Sequence, residues 1–220
     1  MLRRSGFVAL MAVLAFSLAG CSDEQAELAE KSKQDQETVA KAVAATKGGD
    51  FQTALSLLRP LAEAGYKSAQ NNLGSMYYDG TGVPENDEEA VKWFRLAADQ
   101  GSPEAQYNLG YAYEYGTGVS QDIEQSLRWY RASAQQGWPQ AEVNLGRMYD
   151  EGLGVAQNPL AALRLFHAAA AHGQPLAMFN LGSMYGTGRG VPKNDAEALK
   201  WYRMAADRGF AEAQYTLGNF

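Results

Sequence analysis

Between residues 65 and 220, apolar and small residues recur in a fixed order with a period of 36 and no insertion or deletion. Counting from the opening glycines Gly65, Gly101, Gly137, Gly173 and Gly209, position 5 is always alanine, position 9 always leucine and position 10 always glycine. Tyrosine follows at position 13 as Tyr77, Tyr113, Tyr149 and Tyr185. Positions 5, 9, 12 and 13 share one helical face, and Pro103, Pro139 and Pro175 at position 3 suit a first helical turn. Paired glycines, from Gly80/Gly82 to Gly188/Gly190, end that helix in a short loop. Asn86, Asp122, Asn158 and Asn194 then start a second helix as N-caps, with Glu89, Gln125 and Glu197 completing capping boxes. On that second helix Ala90, Ala162 and Ala198 stand four residues before Phe94, Phe166 and Tyr202. The position-10 glycine lies inside the first helix, where it costs up to ~1 kcal/mol relative to alanine. Its recurrence implies a neighbouring helix too close for a side chain.

Self-similarity at a fixed period is the mark of a stacked-repeat solenoid. Complete repeats occupy 65–100, 101–136, 137–172 and 173–208, with a partial one at 209–220. Upstream, residues 37–64 read as a divergent N-terminal capping repeat, with a first helix over Thr38–Lys47 and a second after Gly49-Asp50-Phe51. Residues 21–36 hold little that is apolar beyond a leucine and alanines, and read as a flexible tether or frayed helix. The L-G-x2-Y and A-x3-F/Y patterns resemble the tetratricopeptide repeat. The 36-residue period and the G-x-G-V loop are closer to its Sel1-like relatives. The resemblance covers 65–220 and implies an all-α, right-handed α-solenoid of helix-turn-helix repeats.

The N-terminus follows a different pattern. Arg3 and Arg4 precede an apolar run from Gly6 to Phe16, too short to span a bilayer but suited to a signal-peptide core. Leu18-Ala19-Gly20-Cys21 follows and resembles a bacterial lipobox. That resemblance implies removal of residues 1–20 and lipidation of Cys21, the one cysteine of the chain. Ser22 stands where enteric lipoproteins retained in the inner membrane commonly carry aspartate, which favours the outer membrane, facing the periplasm. A secreted protein with a chance cysteine is the alternative.

Composition narrows the chemistry. One cysteine excludes an intramolecular disulfide framework and zinc sites built on several thiolates. A net charge of −6 argues against nonspecific nucleic-acid binding. The G-x-G loops follow no strand and precede no G-K-[ST], so a phosphate loop is not expected. His167 and His172 are five residues apart, off the i, i+4 face of a metal pair, and His167 replaces an arginine of the other repeats. Neither cofactor, metal nor catalytic residue is expected, nor a small-molecule substrate. Lys92/Arg95, Arg128/Arg131, Arg164/His167 and Lys200/Arg203 form a basic ridge on the second helices. Contact with anionic lipid headgroups, lipopolysaccharide or a partner's acids is one reading of that ridge; pairs such as Glu88→Lys92 and Glu124→Arg128, with the helix dipole, are the stronger one.

On the first helix the core positions barely vary, whereas positions 4, 7, 11 and 14 do, and these share one face. They supply the candidate partner-binding residues Asn71, Tyr78, Tyr107, Tyr111, Glu114, Arg147, Asp150, Phe179, Ser183 and Tyr215. Tyrosine with dispersed charge is the composition of a binding surface, and tetratricopeptide arrays place this face in a concave groove. For Phe179 and Val143 the alternative is packing between adjacent first helices. The recurring Asn72, Asn108, Asn144 and Asn180 are expected to bond neighbouring backbone. The resulting expectation is a non-enzymatic, membrane-anchored adaptor or scaffold that binds a protein or peptide and organises an envelope complex. An immunity-type inhibitor of a secreted antibacterial effector is the alternative, and a cell-wall or lipid hydrolase using groove carboxylates a third.

Overall fold

A computed structural model describes the backbone of residues 5–219 and the side chains of residues 25–219. Cys21 therefore lies outside the described side chains. Among the described residues the structure holds no strand and eleven helices. They are α1 (Ser5–Lys47), α2 (Phe51–Glu63), α3 (Lys67–Asp79), α4 (Asp87–Asp99), α5 (Pro103–Tyr115) and α6 (Ile123–Ala134). They continue with α7 (Pro139–Glu151), α8 (Pro159–Ala171), α9 (Pro175–Thr187), α10 (Asp195–Ala206) and α11 (Ala211–Gly218). None of the described helices is long and apolar enough to cross a membrane.

The chain divides into two compact units, 1–61 and 62–220. In the first, the segment expected as a tether or frayed helix is part of α1, and Val39, Ala42, Ala54 and Leu58 are buried. In the second, α3 packs on α4, α5 on α6, α7 on α8 and α9 on α10, and each second helix packs in turn on the next first helix. This succession is an α-solenoid.

Local chemistry sets the helix ends. Asn86, Asp122, Asn158 and Asn194 each accept the backbone N–H three residues on, at 3.0 to 3.1 Å. Each such cap contributes roughly 1 kcal/mol. The first helices stop where Gly80, Gly116, Gly152 and Gly188 adopt left-handed φ of 64 to 75°, a conformation costly for any residue with a Cβ.

The position-10 glycines have the packing cause their recurrence implies. A Cβ on Gly74, Gly110 or Gly146 would stand 2.7 Å from the ring of Phe94, Tyr130 or Phe166, and on Gly182 2.6 Å from Tyr202. The aromatic of the second helix thus lies across the bare backbone of the first. Around each such crossing the position-5 alanines are fully buried, and Leu73, Leu109 and Leu181 have no exposed surface. Burial of each leucine stabilises the stack by roughly 1.5–3 kcal/mol.

Candidate functional site

The face made by the first helices carries a concavity between α3 and α5. It measures about 280 Å³ and is lined by Ser75, Tyr78, Asp79, Phe94, Tyr107, Asn108 and Tyr111. Helical spacing puts Ser75 and Tyr78 on one wall and Tyr107 and Tyr111 on the other. Buried Phe94 forms the floor. Tyr78 and Tyr111 both line the opening, and desolvation together with nearby negative groups raises the Tyr78 phenol. The aromatic surface extends along α5, where Tyr111 lies 4.5 Å, centroid to centroid, from exposed Tyr115. Tyr107 rests against Tyr130 at 5.8 Å. Tyr78, Tyr107 and Tyr111, singled out in sequence, therefore converge on one pocket.

Three other candidates, Asn71, Glu114 and Asp150, do not face outward. Asn71 is 1% exposed. It accepts the Asn108 amide at 3.1 Å, and so braces α3 against α5. Glu114 and Asp150, at position 14 of successive repeats, are buried as well. They were expected on the open face, but each is covered by an arginine of the following repeat. Arg147 Nη2 donates to Glu114 Oε1, and Arg189 Nη1 donates to Asp150 Oδ2 at 2.7 Å. Arg147 also reaches Glu151 at 3.2 Å.

The two carboxylates differ in what else they hold. Glu114 Oε2 accepts the Tyr130 hydroxyl at 2.9 Å, and that hydroxyl accepts Asn144 Nδ2 at 3.0 Å. Burial, and then the Glu114 charge, push the Tyr130 phenol far up. At the matching place behind Asp150 stands Phe166, which has no hydroxyl, and Asp150 Oδ1 is buried without a partner.

Farther along, Phe179 packs between Tyr202 and Phe210 at 5.4 and 5.3 Å, and Val143 is buried. Both follow the packing alternative. Ser183 bonds Arg189 at 3.3 Å and also Tyr202. Tyr215 on α11 is 77% exposed. The position-8 asparagines differ from expectation: Asn72 bonds the Ser68 carbonyl, but Asn108 and Asn144 bond side chains of the preceding repeat.

The basic ridge proves to be partly a set of staples. Arg95 donates to the Tyr113 hydroxyl at 2.7 Å and Arg131 to Tyr149 at 3.1 Å. Each guanidinium lies 5.7 Å from the ring centroid of its tyrosine. Lys92 pairs with Glu89 rather than Glu88. His167, expected as a surface cation, is half-buried edge-on to Trp201 and Tyr185. Burial lowers its pKa, so it is neutral near pH 7. These staples were visible as arginine and tyrosine 18 residues apart in two successive periods.

A second regular contact runs between repeats at position 6. Gln70, Gln106 and Gln214 each donate to the carbonyl eight residues earlier. In the third repeat that place is Glu142, which is 5% exposed with Oε2 unpartnered. Burial raises its pKa, and His172 offsets part of the rise. Among the described residues no group of three or more histidines, cysteines or carboxylates could hold a metal ion.

Comparison with known proteins follows the same periodicity. The model of the Sel1 repeat matches residues 67–102, 103–138, 139–174 and 175–210. A Sel1 repeat protein from Oxalobacter formigenes is similar at 35% identity and a TM-score of 0.78, over 83% of this chain and 72% of that one. The protective antigen c5321 of uropathogenic Escherichia coli, which has an SLR fold, gives 34% identity and a TM-score of 0.78. That match covers 89% of this chain but 43% of c5321. Immunity protein Pa5087 from Pseudomonas aeruginosa shares the fold at 22% identity and a TM-score of 0.57, over 82% of this chain and 68% of that one. No curated protein matches this chain.

Proposed function

The chain belongs to the Sel1 repeat family, a protein-interaction fold, and from that premise we propose that it is a membrane-anchored adaptor of the bacterial envelope. It binds a protein or peptide segment on the first-helix face and organises or regulates a complex there. The observation that carries this reading is the pocket of Tyr78, Tyr107 and Tyr111, continued by exposed Tyr115. Tyrosines offer large contact area and a polar tip at low ordering cost, which is why they concentrate at interfaces. The repeat stack holds them in place before binding, and preorganisation lowers the ordering cost of association.

Envelope location rests on the sequence alone: the short apolar run and Leu18-Ala19-Gly20-Cys21. Acyl chains on Cys21 would keep the protein on the outer membrane, facing the periplasm, since more than one chain is needed for stable attachment. A non-catalytic role is supported by the commitments of Glu114 and Asp150. Both of these carboxylates of the first-helix face are buried and engaged, by Arg147 and Arg189 respectively.

The test is crosslinking and pull-down from membranes, comparing wild type with Tyr107→Ala/Tyr111→Ala whose helicity is checked by circular dichroism. Loss of one crosslinked partner supports the assignment, and equal recovery of all partners sinks it. Cys21→Ser should release the protein from membranes; retention refutes the anchor. Turnover of muropeptides or lipids by pure protein, abolished by Asp150→Asn, would replace the adaptor with an enzyme. An inhibitor of a secreted effector would use the same face, and is told apart by sensitivity to sibling cells when the protein is deleted.

A further inference from the structure

We propose that the pocket between α3 and α5 takes an arginine side chain of the bound partner, with the guanidinium against the tyrosine rings and the Asp79 carboxylate as its counter-ion. The inference rests on the adaptor reading above and specifies the chemistry of the partner at that site.

Four observations converge on a cation. The pocket is walled by the rings of Tyr78, Tyr107 and Tyr111, and aromatic faces carry the negative part of the ring quadrupole. Asp79 stands at its edge, and none of the lining residues is lysine, arginine or histidine. Asp79 is also the last residue of α3, where the helix dipole adds partial negative charge. Burial, and then Tyr111, raise the Tyr78 phenol, and the Asp87 and Asp79 carboxylates add to the rise.

Size and depth then select the side chain. About 280 Å³ accommodates one long side chain and no folded element. Phe94 at the floor offers an apolar surface for a methylene stem, the usual arrangement for a long cationic side chain with its head near water. A guanidinium is planar, weakly hydrated and able to fork onto a carboxylate, so it suits tyrosine rings beside an aspartate better than an ammonium does.

The protein already uses this chemistry internally. Arg95 and Arg131 lie over Tyr113 and Tyr149, each also donating to the hydroxyl. Those contacts join α4 to α5 and α6 to α7, whereas the Tyr78 pocket presents tyrosine rings with a carboxylate added and no arginine among its lining residues. The arginine along this face, Arg147, is held by Glu114 and Glu151.

The experiment is a 19F NMR titration of the full chain in detergent micelles, labelled with 3-fluorotyrosine, with the pocket resonances assigned through Tyr78→Phe, Tyr107→Phe and Tyr111→Phe. The probes are acetyl-Gly-Arg-Gly-amide and the same peptide with citrulline, lysine or phenylalanine at the centre. Citrulline keeps the shape of arginine without its charge. The arginine peptide is expected to shift the pocket resonances saturably, with Kd on the order of millimolar for so small a ligand. Citrulline should bind at least about fivefold more weakly, and Asp79→Asn should weaken arginine binding by about tenfold.

Equal binding of the citrulline peptide, no effect of Asp79→Asn, or no shift at all overturns the proposal. A lysine peptide as tight as arginine overturns the guanidinium assignment, and tighter binding of the phenylalanine peptide replaces it with an aromatic ligand. Asp79 is exposed, and unchanged resonances of the remaining tyrosines show that its variant is folded. The two readings fail separately. A partner lost in Tyr107→Ala/Tyr111→Ala without arginine binding leaves the adaptor and removes this inference; arginine binding with every partner retained does the reverse.

Discussion

Replacing Glu114 by glutamine changes one atom and should cost the protein about 1.5–3 kcal/mol. The carboxylate takes Arg147 on Oε1 and the Tyr130 hydroxyl on Oε2. An amide of the same shape has one acceptor oxygen. If that oxygen faces Arg147, the NH2 group meets the Tyr130 hydroxyl, whose proton then has no acceptor. If it faces Tyr130, the NH2 group meets the guanidinium. Tyr130 has no exposed surface, so solvent does not rescue its donor, and a buried unsatisfied donor costs roughly 1–3 kcal/mol. The lost ion pair adds less, because the Arg147 side chain is 30% exposed and such pairs contribute roughly 0–1 kcal/mol. Urea unfolding followed by circular dichroism gives the total, and amide exchange in α5, α6 and α7 localises it. In a Tyr130→Phe background the orphaned donor is gone, so Glu114→Gln should cost at least about 1 kcal/mol less there. A loss below about 0.5 kcal/mol in the wild-type background, or no coupling to Tyr130→Phe, would refute the assignment of this network as a structural joint.

Gly110→Ala sets a Cβ 2.7 Å from the Tyr130 ring, which cannot yield while its hydroxyl is held at both ends; a loss of about 2–3 kcal/mol in urea unfolding is expected. Phe166→Tyr supplies the donor that buried Asp150 Oδ1 lacks, and should raise stability by about 1 kcal/mol; an unchanged or lower melting temperature would show that the added hydroxyl does not reach that oxygen. Glu142→Gln should restore the amide contact made by Gln70, Gln106 and Gln214. The Glu142 pKa is raised in the folded state, mainly by burial, so its ionisation removes stability as pH rises from the ordinary glutamate range through the raised value. The stabilisation by Glu142→Gln should therefore be present at about pH 7 and vanish by about pH 4, read as melting temperature against pH.

The architecture was legible because its determinants are local and recur. An asparagine or aspartate cap, a left-handed glycine and a leucine at fixed offsets each act within a few residues, and recurrence in four periods separates them from chance. Gly74 and Gly110 announced a close helix, though not that the partner would be the aromatic of the same repeat. The tyrosine pocket was legible for the same reason, since positions 7, 11 and 14 face together on any helix. Glu114 and Asp150 were misread because exposure is not a local property. Their covering arginines lie 33 and 39 residues away and come from different positions of the repeat, 11 in one case and 17 in the other. A reading column by column finds what all repeats share and passes over contacts that one pair of repeats makes alone. Asn71 falls in the same class, because its amide partner Asn108 belongs to the next repeat.

The second glycines of the last three loops lie hard against a neighbouring helix. A Cβ on Gly118 would stand 2.2 Å from the Asp87 carbonyl oxygen, on Gly154 2.5 Å from Ile123, and on Gly190 3.0 Å from Pro159. The loops of the second, third and fourth repeats are thus each seated on the start of the preceding repeat's second helix, 31 residues back. A surface loop elsewhere absorbs an extra residue at little cost, but here one added residue would unseat a contact that the next repeat needs for its own placement. Such an array has no gradual way to lengthen or shorten. It changes by whole units of 36 residues, through duplication or loss, while the face between the loops is free to diverge one side chain at a time.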